Sequence, residues 1–340
     1  MKSQKVKAKH RDTFAEEWRL KVYSSKIIWS RQERSSNKEL FSCVCFAGIW
    51  IGSGLPFSLY KIIKFKRGEE SIMKQVFNEL EFKAQAEKVI NNFEFNTQFD
   101  KDFAIRNFLL GDVSRFIQRL ELINFVDLPS FLDIGCGYGQ WAIAASLLNE
   151  SVVAIDPDPS RIDFCQKLSQ ELGIDNIDFR VGNSEDLVGL ESFDAVFLFG
   201  VLSLVSWKVE LDKVISLLND NGKLYFNAND YGYMIFNLIE NPNVSDTFSG
   251  REWAIDCLKN TEIFNAHGEF NPSNTREGLV LPKIAVIEYL EKYHGRIDAV
   301  AGDGMIDLSG RNRTLPFFPE KFYGADGVYE VIFSLKGNSH

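Results

Sequence analysis

The sequence has few cysteines and histidines, and their scarcity excludes two kinds of small stabilised domain. The 340 residues include five Cys and four His. An odd number of thiols in a chain of this length does not form the dense disulfide framework of small secreted domains. Cys43 and Cys45 form a C-x-C pair, but no second Cys or His pair follows at the spacing of a zinc site. We therefore expect reduced thiols, no structural metal and a cytoplasmic location.

The sequence also lacks an N-terminal signal-peptide pattern, because its first long apolar run begins about forty residues into the chain. This run, residues 40–60, has 21 residues and no charge, which is long enough to cross a bilayer. Gly52, Gly54 and Pro56 interrupt it. Three alternatives remain open: a buried helix-turn, an interfacial or re-entrant anchor, and a single membrane span.

The excess of negative charge is unevenly distributed. The chain has a net charge of −9, yet residues 1–67 contain 15 Lys and Arg against five Asp and Glu. A basic N-terminal region followed by an acidic remainder predicts contact with an anionic partner such as a membrane surface. A solvated helical face would give the same composition. The acidic remainder disfavours a nucleic-acid substrate. Nothing in the composition indicates an oligomeric state.

The pattern along the chain divides it into three regions. Residues 1–67 form a basic extension whose first 38 residues are helix-compatible, and residues 68–126 read as amphipathic helices that would cap the next domain. From residue 127 to 340, short apolar strands alternate with helices, which predicts an α/β fold with a parallel sheet. Residues 229–295 break this alternation and are expected to form a substrate lid. The last two apolar segments could pair antiparallel at the sheet edge.

One motif carries most of the chemical information. The stretch FLDIGCGYGQ, residues 131–140, places an acid after an apolar strand and then three glycines at alternate positions. Such a strand-to-helix turn lets the backbone approach a ligand closely and directs helix N-terminal N–H groups towards it. The third glycine comes one residue too early for the G-x-G-x-x-G pattern of dinucleotide-binding proteins.

The motif closely resembles motif I of the class I S-adenosylmethionine (SAM)-dependent methyltransferases. Three later features occur in the order that this family has: an acid at the end of the second strand, the polar turn GNSEDL after the third, and an apolar fourth strand ending near Phe199. The resemblance covers residues 130–230 and implies a Rossmann-like, seven-stranded, mostly parallel sheet whose final strand is antiparallel. It also implies SAM as cofactor. The cofactor-binding residues that it implies are Asp133, Gly135, Cys136, Gly137, Gly139, Asp156, Pro157, Asn183, Ser184, Glu185, Phe199 and Gly200.

Within this set, the resemblance implies that Asp156 accepts hydrogen bonds from both ribose hydroxyls and that residues 183–185 flank the adenine. Asp133 would hold the turn and the amino group of the cofactor. Cys136 is expected to pack beneath the ligand. Arg106, on the helix before the sheet, is a candidate partner for the carboxylate of the cofactor.

The acceptor is less well specified than the methyl donor. Asp230, Tyr231 and His267 lie where the family places substrate contacts, and they are weak candidates for a catalytic role. The [DN]-P-P-[YF] stretch of enzymes that methylate exocyclic amines of DNA is replaced here by residues 199–202, Phe-Gly-Val-Leu. A small-molecule or lipid-linked acceptor, methylated on O, N or C, therefore fits better.

Two other functional classes share part of this sequence pattern. A SAM-binding module without catalysis, acting as a scaffold or partner, would carry the same glycine turn. An oxidoreductase with a nucleotide cofactor would require the dinucleotide pattern and a second catalytic constellation, neither of which is found in the sequence.

Overall fold

The chain folds as two compact units, residues 1–78 and 79–340. The computed structural model describes the backbone alone over residues 27–32, 40–50 and 56–66, and backbone with side chains over the remaining ranges. These ranges are 79–111, 113–240, 249–268, 270, 278–318 and 320–337. The rest of the basic extension and parts of the expected lid, residues 241–248 and 271–277, lie outside the described residues.

The first unit contains a three-stranded antiparallel sheet. Its strands are β1 (Ile27–Gln32), β2 (Leu40–Trp50) and β3 (Pro56–Lys66), and β2 lies in the centre. These strands contradict a helix over residues 27–32 and a buried helix-turn over residues 40–50 and 56–60, whereas membrane contact of the segment 40–60 stays a prediction. Aromatic and β-branched residues are frequent in both halves of this segment, which favours strands, and Gly52 and Gly54 divide it into two pieces that can pair.

The second unit begins with three described helices, as the amphipathic pattern predicts, and residues 68–78 of the expected cap lie outside the described residues. The helices are α1 (Glu79–Asn92), α2 (Gln98–Ile105) and α3 (Ser114–Leu122). Helix α2 continues into a π-helical turn at Arg106–Leu110. The N-cap of α2 is Thr97, whose side chain accepts a hydrogen bond from the Asp100 amide.

Five strands and three helices then alternate along the chain. The near-continuous apolar runs in these strands are typical of a sheet covered on both faces. In chain order the elements are β4 (Ser130–Ile134), α4 (Gln140–Ser146), β5 (Ser151–Asp156), α5 (Pro159–Leu172), β6 (Ile177–Val181), β7 (Phe193–Leu198), α6 (Trp207–Ser216) and β8 (Leu218–Asn229).

Three described helices follow β8 and occupy most of the region expected to be a lid. They are α7 (Tyr231–Ile239), α8 (Gly250–His267) and α9 (Lys283–Leu290). The Leu279 amide donates to the Ser203 carbonyl at 2.7 Å, and the Leu281 amide donates to the Asn229 carbonyl at 2.8 Å. Because residue 203 follows β7 and residue 229 ends β8, these bonds attach the inserted segment to the carboxyl end of the sheet.

The chain ends with β9 (Gly295–Gly302), the short hairpin strands β10 (Lys321–Phe322) and β11 (Ala325–Asp326), and β12 (Val328–Leu335). The last strand inserts between β8 and β9 and is antiparallel to both. The large sheet has seven strands in the order β6-β5-β4-β7-β8-β12-β9. The predicted seven-stranded sheet with an antiparallel final strand is therefore confirmed.

The strand order reverses at β4, which pairs in parallel with β5 on one side and β7 on the other. Because parallel crossovers are right-handed, α4 and α5 lie on one face of the sheet and α6 on the other. Ligands in such sheets bind at the carboxyl ends of the strands where the order reverses. The glycine turn follows β4 at this point. No described helix has both the length and the apolar character needed to cross a membrane.

Candidate functional site

The glycine turn connects β4 to α4 and is held against the neighbouring strand. The φ angles of Gly135, Gly137 and Gly139 are 67°, 56° and 82°, a region that residues with side chains rarely adopt. The amides of Gly135 and Cys136 both donate to the Ile155 carbonyl of β5, at 2.8 and 2.9 Å. The turn therefore has a fixed position at the reversal of the strand order.

The glycines at either end of the turn face protein, whereas the middle one faces open space. A Cβ added to Gly135 would lie 2.4 Å from Val201 Cγ2, and one added to Gly139 would lie 2.9 Å from Cys165 Sγ. A Cβ added to Gly137 would meet no atom within 4 Å. The backbone at Gly137 is thus the part of the turn that a ligand can approach closely.

Asp133, at the end of β4, is a buried carboxyl group with spare hydrogen-bonding capacity. It is 1% exposed and accepts a hydrogen bond from the Ala142 amide in the first turn of α4. Its Oδ2 atom has no partner among the described residues. Burial, together with the nearby charge of Asp156, raises the pKa of Asp133 to about 8. A cation next to this carboxyl would favour its ionised form.

Asp156, at the end of β5, contacts the turn from the other side. Its Oδ2 accepts from the Gly137 amide and its Oδ1 accepts from the Asp158 amide, both at 3.0 Å. Burial raises its pKa. Each carboxylate oxygen can accept a further hydrogen bond, so two ligand hydroxyls could still be bound. Pro157 follows and is exposed.

Four buried polar atoms without a partner cluster around this turn. Native structures leave few buried polar groups unpaired, and each such group requires an explanation. In the described part of the chain, the buried side-chain atoms without a hydrogen-bond partner are Asp133 Oδ2, Gln140 Oε1, Trp141 Nε1 and Arg161 Nε. A polar ligand lying on the turn would account for their concentration in one place.

The helical cap packs directly on the turn. The Tyr138 ring lies 5.9 Å from the Phe95 ring and 5.7 Å from the Phe103 ring, and the hydroxyl of Tyr138 hydrogen-bonds with Asp100. Arg161 lies over the same ring at 5.6 Å and 3.7 Å from Asp156 Oδ2. The cap and the second acid are thereby connected through Tyr138. Arg106 is exposed, and its guanidinium lies 5.9 Å from the Phe103 ring.

The polar turn after β6 lies beside the end of β5. The Gly182 amide donates to the Asp156 carbonyl at 3.1 Å. Asn183 is exposed, whereas Ser184 is buried and its side chain hydrogen-bonds with Glu210. Glu185 pairs with Lys213 at 2.8 Å and its side chain is 77% exposed. Asn183 and the backbone of the turn are thus better placed for a ligand than the Glu185 side chain.

Phe199 and Gly200 follow β7 and border the other side of the turn. The Phe199 ring lies 4.8 Å from the Trp141 ring. Gly200 has a φ of 74°, and its amide donates to Asn227 Oδ1 at 2.6 Å. Both residues thus lie at the carboxyl end of the sheet, next to the first turn of α4.

Cys136 has the surroundings of a packing residue. It is 2% exposed, and its thiol hydrogen-bonds with Cys165. That bond, together with burial, raises the pKa of the Cys136 thiol well above its usual value. The thiol therefore remains protonated at neutral pH and is a poor nucleophile.

The three candidate catalytic residues are not brought together as a constellation. Asp230 is the N-cap of α7: its Oδ1 accepts from the Tyr231 amide at 2.7 Å, and its Oδ2 accepts from the Lys283 amide at 2.8 Å. The Tyr231 side chain is 45% exposed. His267 is exposed at the C-terminus of α8. Asp230 thus holds two lid helices in place.

The sequence did not single out Gln140, Trp141, Tyr138 or Arg161. The first three lie within or next to the glycine motif, but motif position alone does not show which side chains are left unpaired. Arg161 lies one turn into α5, and no sequence signal marks it. Groups of three or more His, Cys, Asp or Glu placed to hold a metal ion are absent from the part of the chain that the structure describes.

Comparison with known proteins agrees with this arrangement. Residues 131–222 match the family model described as a methyltransferase domain. The ribosomal RNA small subunit methyltransferase G of Clostridium tetani is 30% identical over 169 residues, which cover 48% of this chain and 65% of that protein. The ubiquinone biosynthesis O-methyltransferase of Methylocella silvestris is 39% identical over 75 residues, covering 22% and 29%. The chain thus spans less than two thirds of the length of either relative.

A solved structure of an S-adenosylmethionine-dependent methyltransferase from Clostridium acetobutylicum is also similar. It has 13% sequence identity and a TM-score of 0.47, and the match covers 71% of this chain and all of that one. The family-model match coincides with the glycine turn, the two acids and the strands that carry them. Residues 131–222 are therefore a methyltransferase domain.

Proposed function

We propose that this chain transfers the methyl group of SAM to a small-molecule or lipid-linked acceptor. The observation that carries the proposal is the concentration of unpaired buried polar atoms around a glycine turn whose middle residue faces open space. This geometry occurs where the strand order of the sheet reverses, as expected for a cofactor site.

The residues present fit the parts of SAM. The Asp133 carboxyl would face the amino group, Gly137 would pass beneath the methionine part, and Asp156 would accept the ribose hydroxyls. Asn183 and the backbone that follows it would border the adenine. When bound, SAM supplies a methyl group on a sulfonium: a lone pair of the acceptor forms the new bond to carbon, the electrons of the S–C bond stay on sulfur, and any acceptor proton is lost to a base or to water.

The contribution of the protein would then be mainly to orient the acceptor and exclude water. Orientation of two reactants can supply roughly 7–11 kcal/mol of a barrier. The inserted helices α7 to α9 are attached to the carboxyl end of the sheet, where they would enclose the acceptor. We assign no general base, because both carboxylate oxygens of Asp230 already accept backbone hydrogen bonds.

Titration calorimetry of the full chain with SAM and with its demethylated product tests cofactor binding. Asp156→Ala should weaken both affinities at least tenfold, because it removes the acceptor of the ribose hydroxyls. Asp163→Ala is the matched control, since that acid is exposed on α5 and pairs with Lys167. Absence of binding in the unaltered chain would contradict the proposal, and equal affinities for the two variants would contradict the role of Asp156.

Incubation with methyl-labelled SAM and three classes of acceptor, namely small molecules, lipid extracts and ribosomal RNA, separates catalysis from binding alone. Ribosomal RNA is included because the relative from C. tetani is named as a ribosomal RNA methyltransferase. Label in the small-molecule or lipid fraction supports the proposal. Label found in RNA alone would show that RNA, and not a small molecule or a lipid, is the acceptor. Binding of SAM without transfer of label would favour a non-catalytic module.

A further inference from the structure

A continuous row of aromatic rings leads from the glycine turn to the lid. We define this aromatic wall as Trp141, Phe199, Phe318, Tyr233 and Phe236. Neighbouring ring centroids lie 4.8 Å apart for the first pair, then 6.3, 5.6 and 6.0 Å along the row. Rings at these separations are in favourable contact. The wall therefore connects Trp141, in the first turn of α4, with lid helix α7.

Four separate parts of the fold contribute to the wall. Trp141 lies on α4 and Phe199 follows β7. Phe318 belongs to the connection between β9 and β12, and Tyr233 and Phe236 lie on lid helix α7. Trp141 is buried, whereas the other four residues are each partly exposed. The wall is thus not merely core packing, because several of its rings retain accessible surface.

The loop that carries Phe318 is held by a buried ionic network, defined here as Arg119, Asp303, Glu330 and Tyr225. Arg119 Nη2 lies 3.1 Å from Asp303 Oδ1 and 2.7 Å from Glu330 Oε2. The other oxygen of Asp303 accepts from the amides of Phe317 and Phe318, at 2.6 and 3.0 Å. Both Asp303 and Glu330 are 0% exposed. The Phe318 backbone is thus fixed in position relative to the sheet.

We infer that the acceptor is an uncharged molecule with a planar aromatic ring, which lies against Phe199 and Phe318. This inference rests on the proposed function. A ligand with a planar ring makes a large contact area with a row of rings that are tilted and stacked on one another. The side chains of Phe199 and Phe318 carry no charge and no hydrogen-bonding group. The site is therefore suited to shape and stacking rather than to ionic recognition.

Charge argues against RNA as the molecule that stacks there. A nucleobase is also planar, but RNA binding draws on Lys and Arg contacts to phosphates. Residues 79–340 contain 22 Lys and Arg against 40 Asp and Glu, a formal net charge of −18. Arg119, the buried cation of the network that holds the Phe318 loop, is already paired with two carboxylates.

The test uses 2,3-dihydroxynaphthalene, a fluorescent planar diol, with the full chain loaded with demethylated cofactor. We expect binding by calorimetry and by quenching of naphthalene fluorescence. Phe318→Leu should weaken binding about 3- to 10-fold, which is the range expected for losing one aromatic contact, and Phe318→Trp should largely restore it. Tyr323→Leu is the control, because that ring is 71% exposed and outside the wall.

Cofactor affinity, measured in the same samples, separates this inference from the proposed function. Normal cofactor affinity with no binding of the naphthalenediol would overturn the inference and leave the proposed cofactor site intact. Equal weakening by Phe318→Leu and Tyr323→Leu would also overturn it. Binding of tetramethylammonium or of ribosomal RNA at this site in preference to the diol would replace an uncharged aromatic acceptor with a cation or a nucleic acid.

Discussion

At the scale of single residues, the carboxyl of Asp133 sets the chemistry of the candidate site. Asp133 is buried at the end of β4, which makes its carboxyl hard to hydrate, and the Ala142 amide donates a hydrogen bond that compensates in part. A buried carboxyl group without a cation favours its neutral form. A ligand that brings positive charge would change this balance, and that change can be measured.

We predict that SAM binding releases about one proton at pH 7. The raised pKa of Asp133, about 8, means that the carboxyl is mostly protonated in the free protein at that pH. The amino and sulfonium groups of SAM are cationic and would lower this pKa below 7. The release should become smaller at pH 9, where the free carboxyl is already mostly ionised.

Calorimetry in buffers of different ionisation enthalpy measures this release. The observed binding enthalpy should vary with the buffer for the unaltered chain and not for Asp133→Asn, which has no proton to lose. A buffer-independent enthalpy in the unaltered chain at pH 7 would refute the assignment of Asp133 to the cationic part of the cofactor.

Gly137 allows a second prediction at the scale of single residues. The effect of its backbone conformation on stability can be measured separately from the effect of the open space beside it on cofactor binding. Gly137→Ala should cost about 1–2 kcal/mol of unfolding free energy, since its φ of 56° is strained for a residue with a side chain. It should also weaken cofactor binding at least tenfold, because the new methyl group would occupy the open space above the turn. Urea unfolding and calorimetry measure the two effects.

The matched control for this variant is Gly268→Ala. Gly268 has a φ of 79° after α8, and an added Cβ would likewise meet no atom within 4 Å. We expect a similar loss of stability and unchanged cofactor affinity. If both variants weakened cofactor binding equally, the weaker binding of Gly137→Ala would follow from its lower stability and not from the loss of open space above the turn.

At the scale of elements, the buried ionic network joins α3, β8, β12 and the end of β9. Arg119 also donates to the Tyr225 hydroxyl at 2.9 Å and to the Leu315 carbonyl at 2.8 Å. Removing one partner from such a network leaves uncompensated charge in the protein interior. The long connection between β9 and β12 therefore depends on one side chain of α3.

We predict that Arg119→Met lowers the unfolding free energy by about 3–5 kcal/mol. The loss should be larger at pH 8 than at pH 5, because protonation of Glu330, whose pKa burial already raises, relieves part of the unpaired charge at lower pH. Urea unfolding at the two pH values measures this difference.

Arg115→Met provides the comparison for the Arg119 variant. Arg115 lies over the Phe317 ring at 4.7 Å, as Arg119 does at 5.2 Å, and it donates to the Pro316 carbonyl. We expect a loss below about 1 kcal/mol, the usual range for a partly exposed group. Equal losses for the two arginines would show that ring packing, rather than charge compensation, holds the loop.

At the scale of the whole molecule, the two units differ in the sign of their net charge. Residues 1–67 contain ten more basic than acidic residues, whereas residues 79–340 are strongly acidic and contain the complete seven-stranded sheet. We propose that the first unit contacts an anionic membrane surface, at which basic segments accumulate.

We predict that the full chain sediments with vesicles containing phosphatidylserine and that residues 79–340 alone do not. Binding should fall on raising the salt concentration from about 0.05 to about 0.5 M, because screening of charges becomes strong over roughly this range. Vesicles of phosphatidylcholine alone are the control. Equal sedimentation of the two chains, or no dependence on lipid charge, would contradict this role.

The sequence by itself determined the methyltransferase domain. Glycines at 135, 137 and 139, the acid before them and the acid at 156 are local features: each follows from what a strand-to-helix turn and a strand end require. Alternating apolar segments likewise predicted strands that alternate with helices in a parallel sheet. For residues 40–60 the apolar length left a helix-turn, an interfacial anchor and a membrane span as alternatives, whereas residues 40–50 and 56–60 belong to the paired strands β2 and β3.

Only the tertiary structure decided which side chains meet at the site. Gln140 and Arg161 lie on different helices, and the rings of the aromatic wall come from residues as far apart as 141 and 318. Unpaired polar atoms and ring contacts depend on distances across the fold, which no local pattern encodes. For the same reason the sequence indicated the methyl donor, whereas the inference about the acceptor had to come from the three-dimensional arrangement.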